Sequence, residues 1–348
     1  MKSISLLRSS GLWFCAATVM ALAGCGQKPA ATTAAPAADA KPAAAPSGKK
    51  ITLAFIPKGM AHVYWKSVEA GMRAAEKEAK DKGQNLEVIW NGPANENDRQ
   101  QEIGLVETFT GQKLDGIILC PLDADALVAP AEKAHRAGIP LVIVDSPLNY
   151  KDIVALVATD NYKAGQIAGE ELAKELGGKG GVILLRFMQG SASTEGREKG
   201  FLDTMAKYPN IKVLSSNNYG GDSSAGSLNV GSNLLNTFKG QVDGVFTPNE
   251  PSTNGMLLAL QQAGLAGKVK FVGFDGGQTN MDGLNAGQIN ALVLQDPYTM
   301  GYKGVNSMLD FLAGKKVEPM VDTGAVLLTK DNLNTPAVKA LLDHTVTK

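Results

Sequence analysis

From Ile51 onward the chain alternates short, continuously apolar runs with helix-length amphipathic segments, and this alternation restricts the fold more than any other feature. Eleven runs read as strands. The first set is ITLAFI from 51, LEVIW from 86, DGIILC from 115, PLVIVD from 140 and IVALVAT from 153. The second is GVILLRF from 181, IKVLSS from 211, DGVFT from 243, KFVGFD from 270, INALVLQ from 289 and AVLLT from 325. Runs without polar alternation suit parallel strands covered on both faces. Between them, Val68, Met72, Ala75 and Ala79 recur at the three- and four-residue spacing of a helix. Gly83, Gly138, Gly177 and Gly264 stand where helix C-terminal caps belong. The fold class is α/β. Eleven strands would make an unusually wide open sheet, and the pattern restarts after Thr159, Asp160 and Asn161. Two doubly wound parallel-sheet lobes are therefore expected.

The segment before Ile51 differs in kind. Lys2 and Arg8 precede the apolar run GLWFCAATVMAL at 11–22, followed by Ala23, Gly24 and Cys25. A basic start, a short apolar core and small residues before a cut form an export signal, and the core is short for a bilayer span. LAGC at 22–25 resembles the bacterial lipobox, which implies a signal peptide at 1–24, cleavage before Cys25 and lipid on its thiol; ordinary secretion with an incidental cysteine is the alternative. Residues 26–48 read GQKPAATTAAPAADAKPAAAPSG, without a large apolar side chain. Such a stretch cannot bury enough surface to offset ordering, so 25–48 is read as a lipidated tether. The chain is then expected on the periplasmic or extracellular face of the envelope, anchored to membrane.

Charge narrows the function classes. Lys and Arg total 34 against 34 Asp and Glu; without the leader the balance is 32 basic to 34 acidic. A nucleic-acid binder needs a basic excess to neutralise phosphates, so nucleic acid is not an expected partner. After cleavage only Cys25 and Cys120 remain, too few for a disulfide framework, and Cys120 in the apolar GIILCP reads as a core residue. The three histidines, His62, His135 and His344, lie far apart without metal-ligand spacing, and no GxSxG elbow occurs. GGKGG at 177–181 precedes a strand and lacks the ending of a phosphate loop; it reads as a helix-to-strand turn. No enzyme, metal or cofactor is expected.

In doubly wound folds ligands sit at the carboxyl ends of strands. Those ends offer Lys58, His62, Tyr64 and Trp65 after the first strand, then Asp145, Arg197, Asn249, Asp275 and Gln295. Carboxylates, amides and a guanidinium pair with neighbouring hydroxyls, and aromatic faces cover apolar C–H patches of a sugar ring. Each has a plainer alternative. One of Tyr64 and Trp65, about 100° apart on a helix, could be core; Asp145 and Asp275 could form caps or turns; Arg197 could be a surface ion pair.

The stretches YWKSVEAG at 64–71, DGII at 115–118, AGIPLVIVD at 137–145 and ATDN at 158–161 carry a resemblance. So do GSAS at 190–193, REKGF at 197–201, VFTPN at 245–249 and VGFDG at 272–276. In this order they resemble the periplasmic sugar-binding proteins of ABC importers, of the ribose-binding type, which share a fold with LacI-type effector domains. The resemblance implies a type I periplasmic binding protein with three crossing segments, near Thr159, Gln295 and Asp322. It places an N-terminal lobe at 49–159 plus 296–322 and a C-terminal lobe at 160–295 plus 323–348. It implies that Tyr64 and Trp65 stack on a sugar, and that Asp145, Arg197, Asn249, Asp275 and Gln295 bind hydroxyls. His62 stands where ribose binders carry Asn, and Ser146 where they carry Arg. IPK at 56–58 and WNGP at 90–93 look more like the rhamnose and autoinducer branch, where a lysine at the Lys58 position reaches ligand. The expected function is capture of a monosaccharide or polyol by a monomer and delivery to an ABC permease. A sugar-sensing ectoprotein serving a chemoreceptor or histidine kinase is the alternative, and an exported hydrolase a more distant one. A repressor would need a DNA-binding headpiece where this chain has an export signal.

Overall fold

The computed structural model describes residues 48–345; the expected export signal and the expected lipidation at Cys25 lie outside the described residues. The apolar runs form two six-stranded sheets, with elements numbered in chain order. The first holds β1 (Ile51–Ile56), β2 (Leu86–Trp90), β3 (Gly116–Leu119), β4 (Leu141–Val144), β5 (Ala155–Ala158) and β11 (Met320–Asp322), in the order β11-β5-β4-β3-β1-β2. The second holds β6 (Lys179–Arg186), β7 (Asn210–Tyr219), β8 (Gly244–Phe246), β9 (Lys270–Phe274), β10 (Ala291–Leu294) and β12 (Val326–Thr329), in the order β12-β10-β9-β8-β6-β7. The orders match position for position, so β1 corresponds to β6, β4 to β9 and β2 to β7. All pairings are parallel except β10 with β12. Every residue of β3, β4 and β10 is buried, as strands covered on both faces require.

The helices are α1 (Val63–Asp81), α2 (Arg99–Gly111), α3 (Val128–Arg136), α4 (Asn161–Glu175), α5 (Ala192–Met205), α6 (Ser224–Thr237), α7 (Glu250–Gln262), α8 (Gln278–Asn285), α9 (Pro297–Leu312) and α10 (Pro336–Thr345). Two apolar clusters flank each sheet. Leu53, Phe55 and Ile118 face Met72 and Met308 on one side of the first sheet, while Ala54, Ile117 and Ile143 face Phe109 and Leu127 on the other. Ile183, Val245 and Phe271 with Leu260, and Leu184, Phe246 and Val272 with Phe201, do the same for the second. The expected caps Gly83, Gly138, Gly177 and Gly264 all take positive φ, from 61 to 83°, a region that costs glycine little.

The chain passes between the sheets three times: from β5 to α4, from β10 to α9, and from β11 to β12. Asp160 and Asp296 cap the helices that follow the first two crossings, accepting from Lys163 N at 3.0 Å and Thr299 N at 2.9 Å. Asp322 Oδ1 accepts from Asp160 N at 3.1 Å and Gly324 N at 2.8 Å, so the first and third crossings are tied together. β11 was not expected: its three residues are mostly exposed and polar at one end, leaving no apolar run to read.

Glycines lock these crossings to the neighbouring helices. A Cβ on Gly71 of α1 would lie 1.9 Å from Tyr298 O, and one on Gly301 of α9 2.0 Å from Val68 O. The same reciprocal contact joins α4 and α5: Gly165 faces Arg197 O and Gly200 faces Tyr162 O, each at 2.0 Å from the would-be Cβ. Helix backbones this close tolerate no side chain. The helices leaving the crossings are thereby seated on α1 and α5, each the first helix after its lobe's first strand.

Candidate ligand-binding site

All nine residues expected at the site line one cavity of about 350 Å³ between the lobes. Two aspartates anchor it. Asp145 follows β4 and Asp275 follows β9, corresponding positions of the two sheets, and both take left-handed φ, 67° and 66°. Outside glycine, Asp and Asn are among the residues that enter this region most readily. Both carboxylates are thereby held buried at the sheet ends, in a conformation that a cap or ordinary turn residue would not need.

On the first lobe Lys58, two residues past β1, is 4% exposed. Its Nζ sits 2.7 Å from Asp145 Oδ2 and donates to Ser146 Oγ at 2.6 Å and Ser193 Oγ at 3.2 Å. Tyr64 donates its hydroxyl to Asp145 Oδ1 at 2.8 Å. Burial pushes the Asp145 carboxyl up, but Lys58, Arg197 and the Tyr64 hydrogen bond outweigh it and hold the group below the ordinary aspartate value. Burial, then Asp145 and Asp275, raise the Tyr64 phenol well above its ordinary value, so it remains a neutral donor.

On the second lobe Arg197 spends its guanidinium on three partners: Asn161 Oδ1 at 2.8 Å, Pro248 O at 2.9 Å and Gln295 Oε1 at 2.5 Å. It also stacks 4.3 Å from the Phe274 ring centre. It is a buried organiser, not a surface ion pair. Gln295 passes the order on, donating to Asp275 Oδ1 at 2.8 Å, while Glu250 N donates to Asp275 Oδ2 at 3.1 Å. Burial prevails here over Arg197 and Gln295, and the Asp275 carboxyl is raised. Asn249 caps α7, its Oδ1 accepting from Ser252 N and Oγ at 3.4 and 2.6 Å. Its NH₂ has no partner among the described residues.

The choice between Tyr64 and Trp65 dissolves: both line the cavity. Trp65 is 3% exposed and belongs to the core of the first lobe, yet its edge reaches the cavity, where Nε1 donates to Glu96 Oε1 at 2.8 Å. The two rings meet edge to face, 5.1 Å apart. His62 has a structural duty as well, its Nδ1 accepting from Tyr64 N at 3.2 Å at the start of α1. That bond leaves Nε2 toward Glu250 Oε2 of the other lobe, 3.8 Å away.

Glu96, Phe187, Ser191, Ser193, Thr194 and Pro251 also line the cavity and were not read as site residues. Phe187 and the three hydroxyl residues follow β6, the counterpart of β1, so the strand-end rule could have found them. Glu96 lies in an irregular loop after β2 and left no signal. The lobes meet in this structure: besides Lys58 to Ser193, Ser193 N donates to Ser146 Oγ at 3.3 Å. At the rim Arg99 Nη2 donates to Gln189 O at 2.6 Å and Ala124 N to Gly190 O at 3.1 Å. These hydrogen bonds join the two lobes directly across the cleft. Cys120 is buried, its thiol pushed up by burial. Among the described residues no group of His, Cys, Asp and Glu is arranged to hold a metal, and no helix is long and apolar enough to cross a membrane.

Comparison with known proteins agrees with this geometry. Residues 53–316 match the model of the periplasmic binding protein domain. The ribose import binding protein of Escherichia coli is 33% identical over 283 residues, 81% of this chain and 91% of that one. The xylitol-binding protein of Mycolicibacterium smegmatis is 32% identical over 271 residues, 77% of this chain and 74% of that one. A carbohydrate transporter solute-binding protein from Agrobacterium radiobacter, solved with D-arabinose, superposes with a TM-score of 0.79 at 34% identity, covering 84% of this chain and 98% of that one. Two equivalent sheets, a polar cavity between them and this degree of likeness lead to one conclusion: the chain belongs to the periplasmic binding protein family, as a sugar-binding protein of an ABC importer related to the ribose-binding proteins.

Proposed function

We propose that this protein captures a neutral monosaccharide or small polyol between its lobes, through Lys58, His62, Tyr64, Trp65, Asp145, Arg197, Asn249, Asp275 and Gln295, and delivers it to an ABC permease. It is a transport receptor and performs no chemistry on its cargo. The observation that carries the reading is a cavity at which polar groups of both lobes converge, already oriented by one another. Three carboxylates, those of Glu96, Asp145 and Asp275, line it with two cations, Lys58 and Arg197. That balance disfavours an acidic or phosphorylated ligand and leaves acceptors for hydroxyl donors. The relatives named above are described with ribose, xylitol and D-arabinose, all neutral five-carbon compounds.

Ligand that touches both lobes favours the closed form by its differential affinity for it. The moving bodies are 49–159 plus 296–322 and 160–295 plus 323–348, turning about the crossings near Thr159, Gln295 and Asp322. The protein works as a monomer on the periplasmic or extracellular face of the envelope, and Cys25 carries the lipid that anchors it to membrane. A thermal-shift screen against D-ribose, D-arabinose, D-allose, D-fucose, xylitol and myo-inositol tests the central reading. A ligand at 100 times its Kd stabilises the native state by about 2.7 kcal/mol, so one member should raise Tm clearly. A panel that leaves Tm unmoved, with calorimetry equally silent, would remove the sugar assignment.

A further inference from the structure

We propose that the cleft takes a glycoside of two rings, whose inner sugar fills the cavity described above and whose second polyol ring lies in an outer chamber at the cleft mouth. The inference rests on the sugar-binding reading and extends it. The outer chamber, counted with its opening to solvent, holds about 570 Å³ and is roomier than the inner cavity, and the two share His62, Glu96 and Pro251 as a common partition.

The chamber is built from the same layer of the fold as the inner site. The inner cavity draws chiefly on residues after β1, β4, β6, β8, β9 and β10, with Glu96 from the loop after β2. The edge strands β2 and β7, counterparts in the two sheets, supply the outer one: the loop after β2 brings Asn95 and the loop after β7 brings Asp222. Both lobes therefore wall the chamber, and a ring seated there would bridge them as the inner sugar does, favouring closure.

Its chemistry is that of unspent hydrogen-bonding groups. The charged groups of the inner cavity are tied to protein partners, whereas the Asp222 carboxylate and the Asn95 amide make no side-chain hydrogen bond to any described residue. An acceptor-only carboxylate and an amide lining one chamber suit vicinal hydroxyls. No Phe, Tyr or Trp ring lines this chamber, so a second sugar would be gripped chiefly through its hydroxyls. Asp222 and Glu96 leave the mouth acidic, which disfavours a uronic acid or phosphate in that position.

Titration calorimetry of the purified protein would compare D-glucose, D-galactose and D-xylose with cellobiose, melibiose and xylobiose, in which those sugars are terminal units. At least one disaccharide should bind on the order of tenfold more tightly than its parent monosaccharide, as about one hydrogen bond to a charged group supplies. Asp222→Ala and Asn95→Ala should each erase most of that gain and leave monosaccharide affinity within about twofold. The monosaccharide reports on folding of both variants. Disaccharides that all bind more weakly than their monosaccharides, or a tight disaccharide indifferent to both substitutions, would overturn the outer subsite and leave the sugar reading standing. If none of these sugars binds and the thermal-shift panel above is silent as well, both readings fall.

Discussion

Replacing Lys58 by Met keeps most of the side-chain volume and removes the ammonium from the centre of the site. In the native protein that ammonium lies 2.7 Å from Asp145 Oδ2, both side chains being about 5% exposed, and it reaches Ser193 on the opposite lobe at 3.2 Å. Two losses follow and can be measured separately. Leaving one partner of a buried ion pair alone costs about 3–5 kcal/mol. At roughly 2–4 °C per kcal/mol for domains of 150–250 residues, thermal unfolding should fall by at least about 6 °C. The interlobe hydrogen bond from a charged donor contributes on the order of 1.5–3 kcal/mol to the closed state, so affinity should drop by roughly 10- to 150-fold. Ser193→Ala removes the interlobe contact alone and should weaken binding with little change in Tm. The pH dependence should also reverse. Native Asp145 is held below its ordinary value, because its cations and hydrogen bonds outweigh burial. A carboxyl so depressed adds stability above its unfolded value, about 3.9, and loses it as pH falls through the native one. Without Lys58 burial prevails, and the variant should lose stability as pH rises. A Lys58→Met protein with native Tm, native affinity and the native pH trend would refute the reasoning.

Gly165→Ala should lower Tm and weaken sugar binding together, since its Cβ would fall 2.0 Å from the carbonyl of Arg197 and push the site helix away; overpacking of this kind costs typically 1–3 kcal/mol. Gly104→Ala, in an exposed turn of α2 with open space around it, is the contrast and should stabilise by up to about 1 kcal/mol; paired calorimetric melts check both. Glu102 is buried, and burial raises its carboxyl to about 8. A raised carboxyl stabilises fully below its unfolded value and loses that contribution as pH climbs to the native one. Glu102→Gln, which can still accept from Leu122 N, should therefore gain on the native protein between pH 5 and pH 8.5; parallel melting curves would contradict this. Arg99→Ala removes the rim contact to Gln189. At the roughly 0.5–1 kcal/mol of a modest hydrogen bond, it should weaken every ligand about two- to fivefold by the same factor, and a ligand-selective effect would assign Arg99 to recognition instead.

The extent to which this structure is legible in the residues follows from burial. Strands covered on both faces, such as those at 116–119 and 141–144, are apolar throughout and easily read. The edge strand at 320–322 is short and exposed, so no pattern marks it. Strand-end logic found Asp145 and Asp275 but not their left-handed backbone, which depends on the turn that each strand enters. The places where the chain crosses between lobes came from family resemblance, because a crossing residue such as Thr159 looks like any loop residue. Trp65 defied a choice between core and cavity because one large ring belongs to both, sharing the cluster of Val68 and Met72 while lining the cavity. Glu96 was invisible for the opposite reason: an irregular loop carries no period, and only the fold brings its carboxylate to the indole.

The account's central claim is that ligand joins two bodies across one cavity. Small-angle scattering of the protein with and without a saturating sugar, identified by calorimetry, tests it most directly, with Asp275→Ala as the companion sample. The radius of gyration should fall on adding sugar to the native protein and stay unchanged when the same concentration is added to the variant. Calorimetrically proven binding with identical scattering curves would show that the cavity fills without drawing the lobes together, and the account would fail.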